Sequence, residues 1–335
     1  MQVQFPEGSG TQVEQRWRGI RGYAVDPVVG MRPMGSMIVR FPMVALDGSD
    51  VQAVVKHRDA NAFLREAPLP ELQDAERVLL LGDSHTDGAV STADNFATLM
   101  EGAATASNTR TAFLNGGCGF YSLWQSVLRA CDLIPRYQPK VVVIVVFLGN
   151  DFVELDNLKV PHLDDQLRHQ PGSENAPPES TSDRQKRMGM IEPYRGLFWQ
   201  GLNQAMYLAE QPERLAVLTK KSAHAIEHME RVAREHSVRV LWALLPSFDL
   251  VFADHARGLG TGAAAVITSG SQRRMRDAFV AELTKRGAAI ADLEPAFKAD
   301  GRATTLYAMD FHVYRHAHQV MAKALAPVID QLLDR

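Results

Sequence analysis

Four short clusters hold the side chains able to do chemistry: Gly82-Asp83-Ser84, Asn115-Gly116-Gly117-Cys118-Gly119, Gly149-Asn150-Asp151 and Asp310-Phe311-His312. A serine hydroxyl is a weak nucleophile until a base takes its proton. A histidine can be that base when a carboxylate holds its tautomer. The oxyanion formed by attack on an ester carbonyl needs fixed donors, such as backbone N–H groups at a glycine turn or a side-chain amide. The residue types suit acyl transfer from an ester, with Ser84 as nucleophile, His312 as base and Asp310 orienting it. The N–H groups of Ser84 and Gly119 and the amide of Asn150 are the candidate oxyanion donors. Asp310 and His312 stand two apart, a spacing that pairs them in a turn and not in a regular helix or strand. A loop is therefore expected there, with the last helix starting just after it.

Each of the first three clusters ends an apolar run. Strands are expected at Val78–Leu81, Thr111–Leu114, Val141–Phe147, Val238–Leu245 and Ala288–Leu293. Helices are expected at Thr92–Ala103, Leu123–Tyr137, Pro212–His236, Ser271–Arg286 and Tyr314–Leu333. A run such as "VVVIVV" needs cover on both faces, the mark of a parallel sheet between helix layers. The expected fold class is α/β: a three-layer, doubly wound, flavodoxin-like parallel sheet of about five strands. Such a sheet binds ligands beyond the carboxyl ends of its strands, where the clusters fall. Residues 1–70 read as a partly β N-terminal extension, with a hairpin around Asp47-Gly48. Residues 71–335 read as the main domain. Within it, 160–190 is a polar excursion rich in Pro, Ser and charge, expected to be mobile. The aromatic stretch 190–208 fits a lid over the site or a core helix, and both readings stay open.

The composition excludes several classes. With 335 residues, 46% hydrophobic and a formal net charge of -3, the chain has ample core and no basic excess for nucleic acid or an anionic membrane. Two cysteines, Cys118 and Cys131, make neither a disulfide framework nor a metal quartet. No cofactor and no metal are expected. The N-terminus lacks a signal-like apolar stretch, and the run Val141 to Leu148 is too short to span a bilayer, so a cytoplasmic protein is expected. "HAIEH", residues 224–228, matches a zinc-protease pattern. However, Leu215, Leu218, Ala225, Met229 and Val232 form the apolar stripe of that helix. His224 and His228 then fall on a charged, solvated face. Cys118 has no histidine signature beside it. Asp83 reads as structural, His85 and Asp87 as neighbours of the nucleophile, and His316 and His318 as packing or solvated residues.

Taken together and in order, the clusters resemble the SGNH/GDSL hydrolase superfamily, in its bacterial acylhydrolase and carbohydrate-esterase branches. "LLLGDSHTDG" is similar to the first block, "NGGCGFYS" to the second, "FLGNDF" to the third and "DFHVYRHAH" to the fifth. The likeness spans residues 76–335. The chain departs from the pattern in four places. Asp310 and His312 are two apart where many members have three. Ala317 replaces a usual glycine. Leu148 stands where the third block often has glycine, and block two offers both Gly117 and Gly119. The resemblance implies a serine esterase or acylhydrolase acting on an acyl ester of a carbohydrate, lipid or small metabolite. The alternative is an O-acyltransferase in which a hydroxyl replaces water. A non-catalytic carbohydrate-binding module is a third reading, disfavoured by the intact Ser, Asn, Asp and His.

Overall fold

The structure, a computed structural model, describes residues 2–4, 22–65, 75–107, 109–173, 195–258 and 261–334. Five N-terminal strands come first: β1 Gln2–Gln4, β2 Tyr23–Asp26, β3 Gly30–Pro33, β4 Met37–Val44 and β5 Val51–Arg58. The main sheet follows, with β6 Glu76–Leu81, β7 Thr111–Asn115 and β8 Val141–Phe147. After the short pair β9 His162–Leu163 and β10 His169–Gln170 come β11 Arg239–Leu245 and β12 Ala289–Asp292. The five main strands lie within two residues of the expected ranges. Their order is β12-β11-β8-β6-β7, every neighbouring pair parallel. The chain thus reverses its direction of travel across the sheet between β6 and β8. The crevice beyond their carboxyl ends is the ligand position of a doubly wound sheet.

Side chains alternate between the two faces of a strand, and both faces here are dry. Val78, Leu80, Val141, Val143 and Val145 pack on one face, against α2 (Phe96–Ala106) and α6 (Arg315–Leu333). Leu79, Leu81, Val142, Ile144 and Val146 pack on the other, against α3 (Leu123–Tyr137), α4 (Arg214–Glu235) and α5 (Ser271–Lys285). All seven residues of β8 are buried. This is the three-layer arrangement that its unbroken apolar run requires. A one-turn helix, α1 (Ser84–Asp87), follows β6 directly.

The N-terminal strands sit against this domain. β4 and β5 form an antiparallel hairpin around Asp47-Gly48, with Gly48 at φ 74°. Met37, Val39 and Met43 on β4 and Val54, Lys56 and Arg58 on β5 are its buried positions, the period-2 pattern of a half-buried sheet. The hairpin joins the segment before α6: Met309 N–H donates to the Val44 carbonyl at 2.8 Å and Leu46 N–H to the Tyr307 carbonyl at 3.2 Å.

The first part of the polar excursion, 162–170, carries structure of its own, the hairpin β9–β10. There the Asp164 carboxylate accepts from the Gln166 and Arg168 N–H groups, and Asp165 pairs with Arg214 at 3.0 Å. Polar residues that satisfy the local backbone order a turn as well as apolar ones do. Residues 174–194, the rest of the excursion and the start of the aromatic stretch, lie outside the described residues. Among the described residues no helix is long and apolar enough to cross a membrane.

Candidate active site

Gly82 makes the turn that carries the chain from β6 into α1. A Cβ there would lie 2.2 Å from Thr86 Oγ1 and 2.7 Å from the Val145 carbonyl oxygen, so a side chain has no room. Asp83 caps α1, its carboxylate accepting from His85 N–H at 2.9 Å. Ser84 is the first helical residue, and first-turn N–H groups have no intrahelical acceptor. Its N–H therefore has no acceptor within α1. Burial pushes the Asp83 carboxyl up to about 7. Asp151 is raised well above the ordinary carboxylate range, by burial first and then by the Asp83 charge.

Asp310 and His312 lie in a turn, with α6 beginning at Arg315, as their spacing predicts. Phe311 between them takes a left-handed conformation, φ 63°. That kink brings the Asp310 carboxylate to His312 twice: Oδ2 lies 3.0 Å from Nδ1, and Oδ1 accepts from the His312 N–H at 3.2 Å. The opposite ring nitrogen, Nε2, lies 2.9 Å from Ser84 Oγ. Burial alone would raise the Asp310 carboxyl. The His312 charge and hydrogen bonds outweigh it and bring the group down to about 2, so it is ionised at neutral pH. Its partner Nδ1 then carries the proton, and Nε2 is left to accept from Ser84.

The oxyanion candidates do not all converge. Asn150 lines the same cavity as Ser84 and His312, and its amide nitrogen has only a long 3.4 Å contact to the Trp199 carbonyl. Gly119 is different. Its N–H donates to the Tyr23 hydroxyl at 3.1 Å, and a Cβ on it would lie 2.8 Å from that oxygen. In this structure the Gly119 donor is therefore engaged by Tyr23, and the absent side chain leaves room for the close approach of that hydroxyl. Gly117 N–H is engaged too, by Asn115 Oδ1 at 3.0 Å.

The neighbours of the nucleophile are buried. His85 Nδ1 accepts from Val313 N–H at 3.2 Å, so Nε2 is protonated and donates to Gln200 Oε1 at 2.9 Å. Burial and then the His312 charge hold His85 well below its ordinary range, and it stays neutral. Asp87 accepts from the Tyr23 hydroxyl at 2.8 Å and pairs with Lys56 at 3.0 Å and with Arg58. Burial would raise the Asp87 carboxyl, but the Arg58 and Lys56 charges prevail and lower it.

Sequence reasoning missed Gln200. Its amide nitrogen lies 3.4 Å from His312 Nε2. It belongs to the aromatic stretch, whose described part runs as Arg195–Leu197, a wide turn Phe198–Leu202 and the helix Asn203–Glu210. Trp199, Gln200 and Asn203 from it line the cavity beside Ser84. Nothing in the spacing marked this glutamine, because its partners lie more than a hundred residues away.

Two other motifs are placed elsewhere. Cys118 is fully buried with its thiol raised by burial, which opposes a nucleophilic role. His224 and His228 correct the solvated-face reading: they are half-buried, their rings 5.8 and 5.3 Å from that of Trp124. Among the described residues no group of three His, Cys, Asp or Glu is placed to hold a metal.

No protein-family model matches the chain, and no curated protein matches it. Solved structures similar to it include LAE5, an alpha/beta hydrolase enzyme from the metagenome of Lake Arreo, Spain. That likeness has 14% identity over 77% of this chain and 96% of the other, with a TM-score of 0.45. The acetyl xylan esterase AlAXEase is 13% identical over 76% of this chain and 99% of its own, with a TM-score of 0.43. A lipase/acylhydrolase from Enterococcus faecalis is 14% identical over 76% and 95%, with a TM-score of 0.41. All three likenesses are distant.

Proposed function

We propose that the chain is a serine esterase or acylhydrolase. The observation that carries this reading is the continuous path from Ser84 Oγ to His312 Nε2 at 2.9 Å and from His312 Nδ1 to Asp310 Oδ2 at 3.0 Å. Ser84 Oγ attacks the ester carbonyl carbon as His312 Nε2 takes its proton. The carbonyl oxygen, now an oxyanion, is held by the Ser84 N–H and the Asn150 amide. His312 then returns the proton to the leaving alcohol oxygen, and the acyl group stays on Ser84. Water, deprotonated by the same nitrogen, releases the acid and restores the serine. Asp310 stays ionised throughout and stabilises the imidazolium formed in each half. A cavity of about 440 Å³ lined by Ser84, His312 and Asn150 is large enough for a small ester.

A chromogenic ester panel on the wild type and Ser84→Ala tests the reading. Turnover that needs Ser84, with Ser84 labelled by an organophosphate, supports it. Hydrolysis equal in the two proteins, or none in both with Ser84 unlabelled, overturns it. Slow hydrolysis strongly accelerated by an added alcohol, with an esterified product, assigns acyl transfer instead.

A further inference from the structure

Ser84, Asp310 and His312 line a second, smaller cavity of about 120 Å³. Half of its walls come from the N-terminal strands. Val39, Phe41 and Met43 are alternate residues of β4 and share one face of that strand. Lys56 and Arg58 reach the cavity from β5, and Tyr23 from β2. Gly88 and Ala89, just beyond the nucleophile helix, form part of the remaining wall.

Size limits what can enter. An apolar cavity of about 150 Å³ holds one benzene, so this one has room for a smaller group, a chain of about two to four carbons. Charge limits it further. Two cations, Lys56 and Arg58, stand with two ionised carboxylates, Asp87 and Asp310, so the lining is balanced. Asp87 already meets Tyr23, Lys56 and Arg58. The lining therefore favours an uncharged group over an anion. The larger cavity, with Asn150 on its wall and the half-exposed rings of Phe120 and Trp199 beside it, has the room for the bulkier half of an ester.

Resting on the esterase reading, we propose that the β4–β5 hairpin builds an acyl pocket that restricts the enzyme to short, uncharged acyl groups. Val39, Phe41 and Met43 set its depth, and the alcohol half of the substrate occupies the larger cavity.

The test compares kcat/KM for 4-nitrophenyl acetate, butyrate, octanoate and hemisuccinate, and for acetates of alcohols of increasing length. Wild type should prefer acetate and butyrate to octanoate by about 10–200-fold, the range a hydrophobic pocket achieves. It should disfavour the hemisuccinate and tolerate long alcohols. Phe41→Ala and Met43→Ala should each raise the octanoate-to-acetate ratio about tenfold, since each newly accommodated methylene is worth about fourfold. Val39→Phe should lower the butyrate-to-acetate ratio, a change in the opposite direction that loss of fold cannot imitate. Three results overturn the proposal while leaving a Ser84-dependent esterase in place: an unchanged acyl profile in all three variants, octanoate used as well as acetate by wild type, or length selectivity on the alcohol side. Turnover independent of Ser84 overturns the esterase reading and this pocket with it.

Discussion

The amide nitrogen of Gln200 lies 3.4 Å from His312 Nε2, the same nitrogen that faces the Ser84 hydroxyl at 2.9 Å. The other end of that amide accepts from His85, and His85 in turn accepts from the Val313 backbone, one residue past the base. The ring closes: the base, its neighbour and the aromatic stretch are held by one chain of hydrogen bonds. Gln200→Ala should leave the His85 Nε2–H buried without an acceptor. The expected loss is about 1–3 kcal/mol of folding free energy, read from urea denaturation. A denaturation midpoint equal to wild type would show that the chain of bonds holds nothing.

Asp310→Asn keeps the shape of the Asp310 side chain and removes its charge. The Asp310 carboxyl is down at about 2 in the folded protein, so wild type carries the negative charge at every working pH. Without it, His312 loses its fixed tautomer. An esterase kcat lower by about 10⁴ is expected, with the fold intact by circular dichroism.

Asn150→Ala removes a donor from the cavity wall without touching the Ser84–His312 bond. Ester turnover should fall about 10²–10³ in kcat with KM little changed, the signature of a donor that acts on the transition state. A rise in KM alone would place Asn150 in substrate binding and not in the oxyanion site.

Tyr23→Phe separates the two roles open to Gly119. The Tyr23 hydroxyl bridges Gly119 N–H and Asp87, and both are buried. Removing it leaves the Gly119 N–H without its acceptor and takes one donor from the Asp87 carboxylate. Stability should drop by about 1–3 kcal/mol. Refilling the bond with an oxyanion would instead appear as a rise in kcat, and the ratio of these two effects is measurable on one protein.

Asp83→Asn tests the carboxyl beneath the nucleophile through pH. Its folded value is about 7 against an ordinary 3.8. Between those values the folded protein holds a proton that the unfolded chain has released. The contribution of Asp83 to stability is therefore complete below about 4 and is lost as pH rises toward 7. Asparagine still accepts from the His85 N–H and cannot ionise. The gap in Tm between Asp83→Asn and wild type should shift in favour of the variant from pH 4 to pH 8, as read by thermal melts in matched buffers. A gap independent of pH would rule out ionisation of Asp83 as the cause.

The main strands were legible in the sequence because their signal is local. A seven-residue run such as Val141–Phe147 can be satisfied only between two layers, whatever the rest of the chain does. The start of α2 was not. Thr92–Asp94 forms a separate 3₁₀ turn, and the Asn95 side chain caps the helix four residues later than apolar spacing suggested. The partner of the Gly119 N–H was not legible for a different reason. A glycine turn advertises free N–H groups, but Tyr23, 96 residues earlier, supplies the acceptor. The N-terminal hairpin was legible from its Asp47-Gly48 turn, yet nothing in that turn said which surface the strands would cover.

By itself the sequence determined the layered sheet, the polar clusters at its strand ends and the turn that pairs Asp310 with His312. Each of these follows from side-chain period or from two-residue spacing, forces that act within a few positions of the chain. Only the tertiary structure decided that Ser84 meets His312 across 228 positions, that Gln200 joins them and that the N-terminal hairpin walls the site. Hydrogen bonds and packing act over a few ångströms, and which distant segments come that close is settled by how the layers stack.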